Sequence, residues 1–172
     1  MSEQEQPKTK LPAQARVVII GGGATGLCAA LAVRDADTEV LVIERDGQPM
    51  GTTAMSTGLI PAAGSAIQRE KGIEDSSEQF ARDIADKAKG RVDTELVAAL
   101  AKASARTVDW LSQQHKVDLS LVEGFTYPGH SALRMHGMPS RSGSELMGAL
   151  ASACEDAGVD ILTDSLVDTI YV

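Results

Sequence analysis

Gly21, Gly23 and Gly26 stand in the spacing G-x-G-x-x-G, and Glu44 follows eighteen positions after the last of them. Residues of these types in this order can hold a nucleoside diphosphate. Gly21 lets the chain turn tightly, Gly23 lets backbone N–H groups approach a pyrophosphate, and Gly26 lets a helix pack close to a sheet. Unpaired amides and the dipole at the helix N-terminus then favour the phosphates. A carboxylate at Glu44 can accept hydrogen bonds from the two ribose hydroxyls of an adenosine, and it would repel a 2′-phosphate, which disfavours NADP.

That chemistry needs elements to aim it, and the flanking residues supply them. Val17-Val18-Ile19-Ile20 reads as a buried strand, the small residues from Leu27 to Ala32 as a helix, and Val40-Leu41-Val42-Ile43 as a second strand that sets Glu44 beside the turn. Dinucleotide binding through a βαβ unit is the expectation. Glu44 without the upstream glycines would be only a solvated carboxylate at a strand end.

Composition limits the other possibilities. The 172 residues carry a net charge of -8, which disfavours nucleic acid and anionic membranes as partners. With 43% apolar but only 3% aromatic residues, Leu, Val, Ile and Ala must supply the core. Cys28 and Cys154 read as small packing residues, with no C-x-x-C spacing, and His115, His130 and His136 have no metal-ligand spacing. Met1 to Gln14 is polar, contains Pro7 and Pro12 and lacks the apolar core of a signal peptide, so it reads as a disordered tail. No run approaches the ~20 apolar residues of a membrane helix. A cytoplasmic setting is the default expectation.

Beyond the βαβ start, Gly51 to Ser65 is rich in small and hydroxyl-bearing residues and has no lasting period. It suits close approach to a flat ligand, or an ordinary surface loop. A helix is expected from Ser76, where Ser76 and Gln79 have capping-box spacing, through Phe80, Ile84 and Ala88 to Gly90. Its charges, Arg82, Asp83, Asp86, Lys87 and Lys89, read as a solvated face. A second helix starts at the N-cap Asp93, with Leu96, Leu100, Val108 and Leu111 expected on one core-facing side.

A short strand is expected near Val117 to Leu121, then a loop from Glu123 to Ser142 that gathers Phe125, Tyr127, His130, Arg134, His136 and Arg141. Those groups either border a pocket for an anionic ligand or belong to a solvated loop with structural ion pairs. Gly143 to Ala157 reads as a helix closed by Gly158, Val159 to Leu162 as a strand, and Ser165 to Val172 as a further extended segment. The apolar end Ile170-Tyr171-Val172 suggests a strand whose partner lies beyond it, so the chain is expected to be the front part of a longer protein.

In order, Gly-Gly-Gly-Ala-Thr-Gly, Val-Ile-Glu-Arg, Gly-Thr-Thr-Ala-Met-Ser-Thr-Gly, Val-Asp-Trp, Arg134-Met135-His136 and Val159-Asp160-Ile161 resemble a known family. It is the FAD-binding domain of the fumarate reductase and succinate dehydrogenase flavoprotein superfamily. The branch most similar holds the soluble flavocytochrome-type fumarate reductases and the 3-ketosteroid dehydrogenases. The likeness covers about residues 15 to 172 and implies an α/β, Rossmann-like FAD-binding fold of the glutathione-reductase type, with inserted helices and incomplete.

The resemblance also implies an extended FAD. Gly21, Gly23, Thr25 and Gly26 would touch its pyrophosphate, Glu44 its adenosine ribose, Thr52, Thr57 and Gly58 its ribityl and isoalloxazine portion, and Val167 its adenine. Met50-Gly51 departs from the Gly-Gly of many members. The implied activity is hydride transfer between flavin N5 and a fumarate-like or 3-ketosteroid-like small molecule. In such proteins a capping domain supplies the substrate-binding Arg and His and the proton donor, so no residue here is expected to be catalytic and this chain alone is expected to be inactive. An NAD-binding oxidoreductase and a non-enzymatic nucleotide-binding module are the alternatives.

Overall fold

The computed structural model describes residues 14–171, so the expected tail over residues 1–14 lies outside them except for Gln14. The described residues divide into two compact units, residues 14–49 with 154–171, and residues 50–153.

The first unit is built on a parallel three-stranded sheet. Strand β1 (Val17–Ile20) leads through helix α1 (Ala24–Asp35) to β2 (Val40–Ile43), which pairs with β1 from Val17↔Val40 to Ile20↔Ile43. The last strand of the chain, β6 (Asp160–Leu162), pairs with the other edge of β2, giving the order β1-β2-β6. Leu27, Ala30 and Leu31 repeat at helical spacing on α1 and are buried, as are Val40, Val42, Cys154 and Val159. This is the βαβ start read from the glycines and the two Val/Ile runs. The expected strand at Val159 to Leu162 pairs over its last three residues. Residues 165–171 form no strand, and Leu166, Ile170 and Tyr171 are exposed. Local apolar pattern marked that segment as extended, but strand pairing needs a ladder of partners, and after Ser165, whose N–H donates to Glu44 C=O, residues 166–171 make no backbone hydrogen bond among the described residues.

The second unit has an antiparallel sheet of β3 (Ile60–Pro61), β5 (Met135–Gly137) and β4 (Ser120–Leu121), in the order β3-β5-β4. Helices α2 (Ala66–Glu70), α3 (Ser77–Lys87) and α4 (Thr94–Gln113) belong to it, and α5 spans Gly143–Asp156. Ala63, Phe80 and Ala101 share a buried cluster with Ala81 and Ile84 packed against it.

Several expectations change here. The loop from Glu123 to Ser142 contains β5, too short to show a period. The complete capping box belongs to Ser65 and Gln68, at the start of the unforeseen α2, whereas Ser76 accepts from Gln79 N–H while the Gln79 side chain turns to Asp83 and Arg82. On α4, Leu96 and Leu100 are exposed, and Ala101, Ser104, Val108 and Leu111 form the buried face. Twelve residues separate Leu96 from Val108, and at about 100° per residue that is a turn of about 120° around the axis. Leu100 and Leu111 fall between them, so the four share one arc of about 120°, but the buried face is centred nearer Val108 and leaves Leu96 and Leu100 at its exposed edge. Asp83, read as part of a solvated face, is buried.

The ends of α5 and α4 follow the expected chemistry. Asp93 caps α4 by accepting from the amides of Glu95 and Leu96. Gly158, at φ 70, closes α5 with Gly158 N–H donating to Glu155 C=O and Val159 N–H to Cys154 C=O. Among the described residues, no helix is long and apolar enough to cross a membrane.

Candidate dinucleotide site

The turn from β1 into α1 lies entirely within the first unit. Gly21 takes φ 101, a conformation that a side chain would strain, and its N–H donates to Ile43 C=O at 2.8 Å. A Cβ on Gly26 would stand 1.9 Å from Gly21 C=O, so the helix sits against the turn at a distance only glycine permits. At Gly21 and Gly23, by contrast, an added Cβ would meet nothing within 4 Å. Open space therefore lies over the positions where the motif calls for a phosphate.

The start of α1 is left free for an anion. Gly23 is its N-cap, no side chain caps it and no acidic residue occupies its first turn. The amides of Gly23, Ala24 and Thr25 have no acceptor among the described residues. Free N–H groups and the positive end of the helix dipole converge on one spot. Thr25 is exposed and its hydroxyl has no protein partner among the described residues.

Glu44 is adjacent, as the spacing predicted. Its carboxylate accepts from Gly22 N–H at 2.6 Å and from Asp46 N–H at 2.9 Å. Its backbone continues the sheet, with Glu44 N–H donating to Leu162 C=O at 2.8 Å and its C=O accepting from Ser165 N–H at 2.9 Å. Val167 is half-buried in the same unit. Gly22 and Asp46 were not singled out from the sequence. The signal available for Gly22 was that the middle residue of the run is also glycine, at a position the motif leaves unspecified.

In the second unit, Thr52 to Met55 form a 3-10 turn and Gly58 is buried at φ 63. Ser56 C=O accepts from Gly143 N–H at 2.8 Å, and Ala54 C=O from Ser144 Oγ at 3.1 Å. These bonds fix the loop onto the first residues of α5. Thr52 and Thr57 are exposed, and neither hydroxyl has a partner among the described residues.

Arg134 and His136 are buried and engaged. The Arg134 guanidinium donates to Asp75 at 2.9 and 2.8 Å and to Asp83 at 2.5 Å, and lies 4.7 Å from the centre of the Phe80 ring. Burial alone would raise the Asp83 carboxyl. Hydrogen bonds from the Ser131 amide, Gln79, the Ser131 hydroxyl and Arg134 outweigh that and hold it well below the usual carboxylate range. His136 Nδ1 lies 2.9 Å from Arg134 C=O and Nε2 2.8 Å from Ser65 Oγ. Burial lowers its pKa below the ordinary histidine value. Of the two readings of this loop, the structural ion pair describes Arg134.

A family model described as "FAD binding domain" matches residues 16–172. A probable fumarate reductase of Shewanella frigidimarina is 30% identical over 159 residues, covering 91% of this chain and 26% of that protein. The solved open conformation of a flavocytochrome c3 fumarate reductase superposes with a TM-score of 0.77 at 28% identity, over 89% of this chain and 27% of that one. For 3-ketosteroid-Δ4-(5α)-dehydrogenase from Rhodococcus jostii the TM-score is 0.73 at 24% identity, over 87% of this chain and 38% of that one, a likeness of fold. This chain spans 18% and 26% of the length of the first two curated relatives it matches.

Proposed function

The chain belongs to the FAD binding domain family, and from that premise we propose that Gly21, Gly23, Thr25 and Gly26 hold the diphosphate of its cofactor, FAD, and Glu44 the adenosine ribose. It is an FAD-binding domain of fumarate reductase- and dehydrogenase-like flavoproteins, which selects FAD over the NAD alternative. The observation that carries the placement is the free helix start. Three amides without acceptors, open space over Gly21 and Gly23, and no acidic residue in the first turn suit a diphosphate.

Thr52, Thr57 and Gly58 are assigned to the ribityl and isoalloxazine portion and Val167 to the adenine on the resemblance, supported by the two unpartnered hydroxyls. When bound, FAD supplies two-electron chemistry, and the protein supplies binding, orientation and electrostatics. For the whole protein the reading is an oxidoreductase that moves a hydride between flavin N5 and a small molecule, fumarate-like or 3-ketosteroid-like. The names of the relatives support it. No residue of this chain is given a catalytic role.

Titration of the chain with FAD, followed by calorimetry and by flavin fluorescence, tests the placement. Saturable binding that weakens on Thr25→Ala and is competed by ADP is expected. Binding of FAD that ADP leaves untouched would overturn it.

A further inference from the structure

The motif gives Glu44 one task, to accept ribose hydroxyls, and gives Gly22 none. The geometry joins them. Gly22 N–H donates to Glu44 Oε2 at 2.6 Å and Asp46 N–H to Oε1 at 2.9 Å, and the residue is only 7% exposed. A Cβ on Gly22 would lie 2.8 Å from Pro49 Cβ and 3.1 Å from Glu44 Oε2, so no side chain fits between the turn and the carboxylate.

The support behind the carboxylate is rigid. Glu44 is fixed through its own N–H and C=O by Leu162 and Ser165, while Gly21 is fixed to β2 through Ile43 C=O. Of the three glycine amides in the turn, the first two are thereby tied to β2 and its continuation. The amide of Gly23 is the first left over.

We propose that Glu44 is a positioning residue as well as a ribose acceptor: it ties down the Gly22 amide and so aims the amides of Gly23, Ala24 and Thr25 before any ligand arrives. A carboxylate offers about four lone-pair sites, and the two amides use two of them, so the tie and the ribose contact are compatible. Hydrogen bonds to an ionised acceptor are the strong kind, which suits a group that must hold a loop of glycines in one conformation. The consequence for affinity rests on the ADP placement proposed above. The tie itself is a property of the ligand-free chain.

Amide hydrogen exchange on the ligand-free chain, resolved residue by residue by NMR, tests it first. Gly22 and Asp46 should be protected and Gly23 should exchange freely, then slow when FAD is added. Glu44→Gln keeps the size of the side chain but presents an N–H₂ group to one of the two amides. That variant should exchange faster at Gly22 or Asp46. Its affinity for 2′,3′-dideoxy-ADP, which has no ribose hydroxyls, should fall about tenfold, and its affinity for ADP by at least as much.

Exchange at Gly22 as fast as at Gly23 in the unaltered chain would overturn the proposal, and this reading stands even if the variant does not fold. A Glu44→Gln variant that loses affinity for ADP alone would also overturn it, because Glu44 would then act only on the ribose. Protection at Gly22 in a chain that binds neither nucleotide would support the tie and overturn the ADP placement.

Discussion

Gly26 is the residue at which motif and geometry agree most closely. Its missing side chain is required because a Cβ there would stand 1.9 Å from Gly21 C=O, and backbone cannot yield as a flexible side chain can. Gly26→Ala should therefore force α1 away from the turn, at a cost of about 1–3 kcal/mol or more from overpacking. Urea denaturation should show a lower midpoint, and a midpoint equal to that of the parent chain would refute the close contact. Residues of this kind are legible because the need is local: the turn, the helix start and the glycine lie within six positions. Arg134 shows the opposite case. Its partners Asp75 and Asp83 lie 59 and 51 positions away, and no spacing in the sequence links them. Composition singled out the loop, but only the fold distinguishes a buried ion pair from a ligand contact.

Elements were legible in proportion to their length and the strength of their ends. α1, α3, α4 and α5 each carry a cap or an apolar repeat sustained over several turns, and all four were anticipated. β5, with three residues, is set by tertiary contacts, His136 pairing with Ile60 across the sheet. α2 does carry a local signal, the Ser65-x-x-Gln68 capping box, but its five residues show no apolar period, and Gln68 also donates to Asp75 and Leu133 C=O. Val108 and Leu111 face the core as expected, but the buried face of α4 is shifted off Leu96 and Leu100 toward the small residues Ala101 and Ser104, which an apolar pattern underweights. Ala101 and Ser104 are buried, with Ser104 Oγ donating to Ala101 C=O and accepting from Ala63 N–H, while Leu96 and Leu100 remain 65% and 51% exposed. Leu96→Lys and Leu100→Lys should then change stability by no more than about 0.5 kcal/mol, as surface substitutions do. Val108→Ala, fully buried, should cost about 1–3 kcal/mol. Thermal melts of the three variants would show the ranking, and a large loss at Leu96 or Leu100 would mean that the buried face extends to those positions.

At the scale of the whole chain, two buried titratable groups make stability depend on pH in one direction. His136 is fully buried, and because a carbonyl can only accept, its Nδ1–H donates to Arg134 C=O and its Nε2 accepts from the Ser65 hydroxyl. A second proton would aim Nε2–H at an oxygen that already accepts from Gln68 N–H and would leave the Ser65 hydroxyl hydrogen without its acceptor. Burial lowers the His136 pKa in the folded chain, whereas the unfolded chain titrates near the usual value of about 6.5. Below that value the unfolded state binds more protons, so stability falls as pH falls. His130, lowered first by burial and then by the Arg134 charge, acts in the same sense. Asp83 adds a second step. Its carboxyl is held ionised when folded, so the stability it contributes is present above the ordinary carboxylate pKa of about 3.9 and is lost as pH drops through and below it. The melting temperature measured by circular dichroism should stay level from about pH 8 to 7, decline below about 6.5, and decline again below about 4. His136→Gln should reduce the first decline and leave the second. A melting temperature that holds steady between pH 7 and pH 5 would mean that His136 takes up its proton in the folded chain without penalty, and the buried tautomer described here would be wrong.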